Sequence, residues 1–149
     1  MFKTIVVGTD GSGYAGHAIR VAADLAKHTV GAKVHVVAAY RPLGASELRD
    51  LAAELPEEVR STLTTHARAE GPITDARAIL YPLGVDAEYH EVGDDATEAI
   101  LEIAEQEDAD LIVVGSRGEG AAKRALHGSV STKVVHHAHC AVLVTRNEA

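Results

Sequence analysis

The segment Asp110–Thr145, DLIVVGSRGEGAAKRALHGSVSTKVVHHAHCAVLVT, decides the fold. It opens on the short apolar run LIVVG (111–115) and closes on CAVLVT (140–145), each of strand length and rich in β-branched residues. Between them VSTKVVHHA (130–138) carries Val130, Val134 and Val135 at helical spacing. Strand, helix and strand in that order predict a parallel pair joined by a crossover helix. The connection into the helix, GSRGEGAAKRALHGSVS (115–131), is unusual. Such loops commonly take about 2–6 residues, and this one is roughly twice as long. It holds four glycines and three cations, Arg117, Lys123 and Arg124, in a chain whose formal net charge is −8.

Outward from this unit the same alternation recurs. KTIVVG (3–8) and KVHVVAAY (33–40) read as strands, and DAEYHEV (86–92) as a weaker one. The runs 3–8, 111–115 and 140–145 are nearly continuous in Val, Ile and Leu, which predicts strands buried on both faces. The run 86–92 alternates and is more polar, as an edge strand should be. Ile19, Ala22, Ala23 and Ala26 form a helical stripe over about Tyr14–His28, with Ser12 as N-cap. Ala96, Ile100, Ile103 and Ala104 form another, starting after Asp94 and Asp95, which suit a helix N-terminus. Residues 41–84 are less regular. Leu48, Leu51, Ala52 and Leu55 read as one helix and Ala76, Ile79, Leu80 and Leu83 as another, with Pro42, Pro56 and Pro72 breaking the stretch. Two roles stay open for it: a cover over a ligand, or two packed helices with a mobile join.

The predicted architecture is therefore α/β, a parallel doubly wound sheet forming a single domain over residues 1–149. No apolar run approaches the ~20 residues of a membrane span. The chain enters its first strand at once, with no signal peptide, and has one cysteine, Cys140; both point to the cytoplasm. The net charge of −8 and an aromatic content of 3% argue against polymeric nucleic acid, which is held by cationic fields and stacking platforms. A small anion, sensitive to local donors, stays open.

In doubly wound sheets ligands bind at the carboxyl ends of the strands, where strand order reverses. Two such ends carry the same pattern, G-x-x-G-x-G: GTDGSG (8–13) and GSRGEG (115–120). If their strands are neighbours, the loops face one crevice. Glycines let backbone N–H groups converge on anionic oxygens, and the helix after Gly128 adds an N-terminus and its dipole. Glycines after strands are also ordinary turn residues, and Ser129 and Ser131 ordinary caps. There is neither a G-x-x-x-x-G-K-[ST] phosphate loop nor a G-x-G-x-x-G dinucleotide fingerprint after the first strand.

Three segments, VVGTDGS near the start, DADLIVVGSRG, and GSVSTKVVHHAHCAVLVTR at the end, together resemble the universal stress protein family. Gly115, Gly118, Gly128 and Ser129 match that family's nucleotide-binding signature, G-x2-G-x9-G-[ST]. The resemblance covers nearly the whole chain. It implies a five-stranded parallel sheet of order 3-2-1-4-5 with helices on both faces, Rossmann-like. It places Gly8, Thr9 and Asp10 under ribose and adenine, the backbone of Ala39 at the adenine edge, and Gly115 at the ribose. Ser116, Arg117 and Gly118, with Gly128, Ser129, Val130 and Ser131, would hold the phosphates. The implied ligand is ATP, with AMP, ADP or cyclic AMP as alternatives. Mg²⁺ would accompany the phosphates; Asp10 would bond ribose hydroxyls or help place the cation, its ordinary alternative being an Asx-type turn residue in TDGS. The implied assembly is a homodimer through the last strand, Ala141–Thr145. Where relatives often have APCPVLV this chain has AHCAVLV, a difference at the strand edge that leaves the nucleotide loop untouched.

The implied role is a nucleotide-dependent switch in a cytoplasmic stress response. Catalysis needs a poised base and a cation. Arg117, Lys123 and Arg124 are candidates for the cation, with solvated loop charges as the ordinary reading, and His127 is a lone loop histidine, so no base stands out and no catalytic residue is assigned. A slow ATPase or autokinase, a cyclic AMP binder and a nucleotide-free interaction module remain the competing readings. HHAHC (136–140) has the composition of a metal site, but His136, His137 and His139 fall where a helix gives way to a strand and cannot share one face. Cys140, at the start of a buried strand, is expected to be inert.

Overall fold

A computed structural model describes residues 1–60, 67–116 and 129–147. In chain order the elements are β1 (Thr4–Gly8), α1 (Gly13–Lys27), β2 (Lys33–Ala39), α2 (Ala45–Ala53), α3 (Glu57–Arg60), α4 (Ala67–Leu80), β3 (Ala87–Val92), α5 (Ala96–Gln106), β4 (Leu111–Gly115), α6 (Ser129–His137) and β5 (Ala141–Thr145). The strands form one parallel sheet of order β3-β2-β1-β4-β5. β1 pairs with β4 through Ile5↔Leu111, Val6↔Ile112 and Val7↔Val113, so the switch point lies between them.

Period-two alternation along the strands feeds two cores. Ile5, Val7, Val34, Val36 and Val113 point toward α1 and α4, joined by Ala18, Ile19, Ala22, Ala76 and Leu80. Val6, Val37, Ile112 and Val114 point toward α5 and α6, joined by Ile100, Ile103 and Val134. α1 packs mainly through alanines, which let its backbone lie close on the sheet. Its one large buried side chain, Ile19, contributes roughly 1.5–3 kcal/mol by leaving water. Ser12 caps α1 through Ala15 N–H at 3.2 Å, and Asp95 caps α5 through Thr97 and Glu98 N–H at 3.0 and 3.3 Å. Both caps sit where the sequence places them.

Four expectations need correction. β5 is an edge strand, with Ala141 and Leu143 exposed and Val142 and Val144 half-buried, so it is not covered on both faces. Cys140 accordingly precedes a half-covered strand rather than beginning a buried one. Val135 is exposed, and α6 faces the core through Val134 instead. Pro72 lies inside α4 and does not break it. Burial of Ala69, Ile73, Ala76 and Leu80 on one side of that helix offsets the low propensity of Gly71-Pro72. α4 is thus part of the core, whereas α2 buries no residue.

Candidate functional site

Four chain segments reach the carboxyl end of the sheet around the switch point. The first follows β1. A Cβ on Gly8 would lie 2.5 Å from Ile100 Cδ1, so glycine here leaves room for the Ile100 side chain of α5 over the strand end. The chain then turns sharply. Thr9 N–H donates to the Val37 carbonyl at 2.9 Å, Gly11 N–H to Thr9 Oγ1 at 3.2 Å, and Ser12 N–H to Asp10 Oδ1 at 2.9 Å. Gly11 has φ +81°, the left-handed conformation that favours glycine. Asp10 is therefore an Asx-turn residue, its side chain exposed at the rim.

The second segment is the end of β2. Ala39 is half-buried and pairs with Val92, and Tyr40 N–H donates to the Val92 carbonyl at 2.9 Å. Beside it lies a cleft of about 520 Å³, lined by Ala39, Tyr40, Pro42, Gly93, Asp94 and Asp95 among others. The third is the end of β4. A Cβ on Gly115 would sit 3.1 Å from the Tyr14 carbonyl oxygen, so a glycine here admits the first turn of α1. Ser116, buried, donates its N–H to the Thr145 carbonyl at 2.8 Å and continues the β4–β5 pairing by one residue.

The fourth is the start of α6. Because β5 runs parallel to β4, α6 must run back against them, which puts its first turn at the carboxyl end of the sheet. The helix begins at Ser129; Val130 is half-buried and Ser131 buried. A helix start carries N–H groups with no intrahelical acceptor and the positive end of the dipole. Gly8, Thr9, Asp10, Ala39, Gly115, Ser116, Ser129, Val130 and Ser131 thus lie on segments that meet at one end of the sheet. Arg117, Gly118 and Gly128 lie outside the described residues. The three histidines of HHAHC do not come together: His136 and His137 are exposed in the last turn of α6, and His139 is exposed beyond it. Burial pushes the Cys140 thiol above its ordinary pKa, with the Asp110 carboxylate adding to the shift.

A family model described as the universal stress protein family matches residues 1–146. The chain belongs to the universal stress protein family. A universal stress protein of Thermus aquaticus, encoded in the 3′ region of QAH/OAS sulfhydrylase, is 41% identical, covering 98% of this chain and all of the relative. Among solved structures, a universal stress protein in complex with cAMP is 27% identical with a TM-score of 0.68, covering 97% of this chain and 96% of that one. The universal stress protein of Archaeoglobus fulgidus in complex with dAMP is 26% identical with a TM-score of 0.65, covering 95% of each. Both share the parallel sheet, and both hold an adenine nucleotide. Among the described residues, no helix is long and apolar enough to cross a membrane.

Proposed function

We propose that this universal stress protein binds ATP with Mg²⁺ at the carboxyl end of the sheet and works as a nucleotide-dependent switch in a cytoplasmic stress response. The observation that carries the reading is the meeting of three side-chain-poor backbones, Gly8–Asp10, Gly115–Ser116 and the start of α6, around the β1–β4 switch point. The start of α6 brings N–H groups without intrahelical acceptors and a helix dipole to that place, which suits holding phosphate. The adenine-nucleotide ligands of two relatives support the same ligand class.

In this reading adenine enters beside Ala39, where the cleft is bordered by Tyr40 and Pro42. Asp94 and Asp95 on the same cleft would repel phosphate, so the anionic end turns toward α6 and the glycine loop 115–129. Gly8, Thr9 and Asp10 lie under the ribose, Gly115 touches it, and Ser116, Arg117, Gly118, Gly128, Ser129, Val130 and Ser131 hold the phosphates. ATP is preferred over AMP or cyclic AMP because a single phosphate leaves most donors of so long a loop unused. The protein is one domain and pairs with a second copy through Ala141–Thr145, whose exposed Leu143 lies on the sheet edge.

Calorimetric titration with Mg-ATP, AMP and cyclic AMP tests the proposal. Mg-ATP is expected to bind tightest, and Gly128→Val, which adds bulk within the signature, to weaken it at least tenfold. Tighter binding of cyclic AMP would replace the triphosphate reading with the monophosphate one. Absence of heat with all three would leave the interaction-module reading.

A further inference from the structure

At the opposite end of β2, far from the nucleotide crevice in the topology, a histidine occupies an otherwise apolar buried strand. His35 is 2% exposed, flanked by Val34, Val36 and Val37. The parallel register sets it opposite Glu88 and sets its strand neighbour Val37 opposite His90, so Glu88 and His90 share its face of the sheet. Glu107, immediately after α5, closes the group from above. One ligand atom from each of His35, Glu88, His90 and Glu107 can be chosen so that all lie within 4.8 Å of one another.

We propose that these four side chains form a site for one divalent transition-metal ion of the zinc type, independent of the nucleotide. His35 Nδ1 lies 3.0 Å from His90 Nε2 and 3.6 Å from Glu88 Oε2. A tetrahedral ion with bonds of about 2.0–2.1 Å needs ligand-to-ligand edges of roughly 3.3–3.4 Å, and these two distances bracket that value. The ring centroids of His35 and His90 are 5.2 Å apart. Two imidazoles on such an ion would place theirs roughly 5 Å apart, so small ring rotations open the pair around a cation.

Two ring nitrogens at 3.0 Å are joined either by an N–H···N hydrogen bond, one neutral ring donating to the other, or by a metal ion that both coordinate. With the hydrogen bond alone, the carboxylates of Glu88 and Glu107 face Lys33, whose Nζ is 2.7 Å from Glu88 Oε1. A dication balances the two carboxylates. Glu88 is built for both contacts, with Oε1 on Lys33 and Oε2 turned toward His35. On the far side of the ring Glu107 Oε2 lies 3.8 Å from His35 Nε2. There it either completes the coordination or orients the ring from behind, as carboxylates commonly do for metal-bound histidines. Burial lowers the His35 pKa from its ordinary value, with Glu107 pulling the other way. β3 is an edge strand and His90 is only half-buried, which gives an ion a way in. Two imidazoles in the donor set suit zinc and the neighbouring transition-metal ions better than magnesium or calcium.

The test is titration of the full-length, chelator-treated protein with Zn²⁺ by calorimetry, and with Co²⁺ by visible absorption. One saturable equivalent is expected, with the absorption of four-coordinate cobalt. His90→Gln and Glu88→Gln, at partly exposed positions, should each lower the Zn²⁺ affinity at least tenfold while leaving nucleotide binding unchanged. His35→Gln should do the same, but it alters the core, so the other two variants are the decisive ones. A triple His136→Gln, His137→Gln, His139→Gln variant should keep the site. No saturable equivalent, or binding that survives His90→Gln and Glu88→Gln, overturns the proposal.

Discussion

Gly115→Ala probes how closely α1 is seated on the strand that ends at the crevice. The added methyl would lie 3.1 Å from the Tyr14 carbonyl oxygen and 3.2 Å from its carbonyl carbon. Both are backbone atoms in the first turn of α1, which is tied down by the Ser12 cap and by Gly16 N–H on the Ser12 carbonyl at 2.9 Å. They cannot rotate away as a side chain would, so the turn must shift by a few tenths of an ångström. Overpacking of this kind costs about 1–3 kcal/mol. At a urea m-value of about 1–3 kcal/mol/M the midpoint should fall by roughly 1 M. Gly13→Ala is the control. Nothing lies within 4 Å of a Cβ there, so its effect should run from neutral to about 1 kcal/mol stabilising. Since the displaced turn follows Gly8–Ser12 directly, Mg-ATP affinity should fall at least tenfold in Gly115→Ala and stay unchanged in Gly13→Ala. Equal urea midpoints for Gly115→Ala and the unmodified protein would refute the close seating of α1 on β4.

Other perturbations separate the remaining claims. Asp95→Ala removes the acceptor for Thr97 and Glu98 N–H and should cost about 1 kcal/mol in urea unfolding, with Asp95→Ser retaining most of it. Gly71→Ala, in the body of α4, should stay within about 1 kcal/mol of neutral in urea unfolding, because the gain in helix propensity is opposed by the ring of Pro72, which crowds a Cβ on the residue before it. The raised thiol pKa of Cys140 means less thiolate than a free cysteine has at any pH below its own pKa. Iodoacetamide should therefore modify the folded protein more slowly than a cysteine peptide at pH 8, with the rate still rising at pH 9 and above. Leu143→Lys puts a charge on the exposed edge of β5 and should shift the sedimentation coefficient from dimer to monomer without loss of helical circular dichroism.

Much of the frame is legible in local chemistry. Ser12 and Asp95 announce their helices because short polar side chains cap N-termini. The polar alternation of 86–92 marks an edge strand, and β3 is one. The second edge hides, because AVLVT reads as a run buried on both faces while the fold covers one. Periodicity records how apolar a strand is and says nothing about which neighbours it receives. Pro72 misleads for a related reason, since propensity is local and the packing of Ile73, Ala76 and Leu80 is not. The adjacency of the β1 and β4 ends is readable in advance, because strand ends in a doubly wound sheet have known neighbours. The cluster of His35, Glu88, His90 and Glu107 is not readable in that way: the β2–β3 register joins two of its segments, and the end of α5 brings in the third. Its one local sign is a histidine in the middle of KVHVVAAY, with Glu88 and His90 alternating along DAEYHEV.

Nucleotide binding is tested most directly by the small molecules that the protein carries when purified without added ligand. After denaturation, the released material is separated by ion exchange and identified by mass. A near-stoichiometric adenine nucleotide, ATP or its diphosphate, is the expected result. Empty protein that also gives no heat with millimolar Mg-ATP would contradict nucleotide binding.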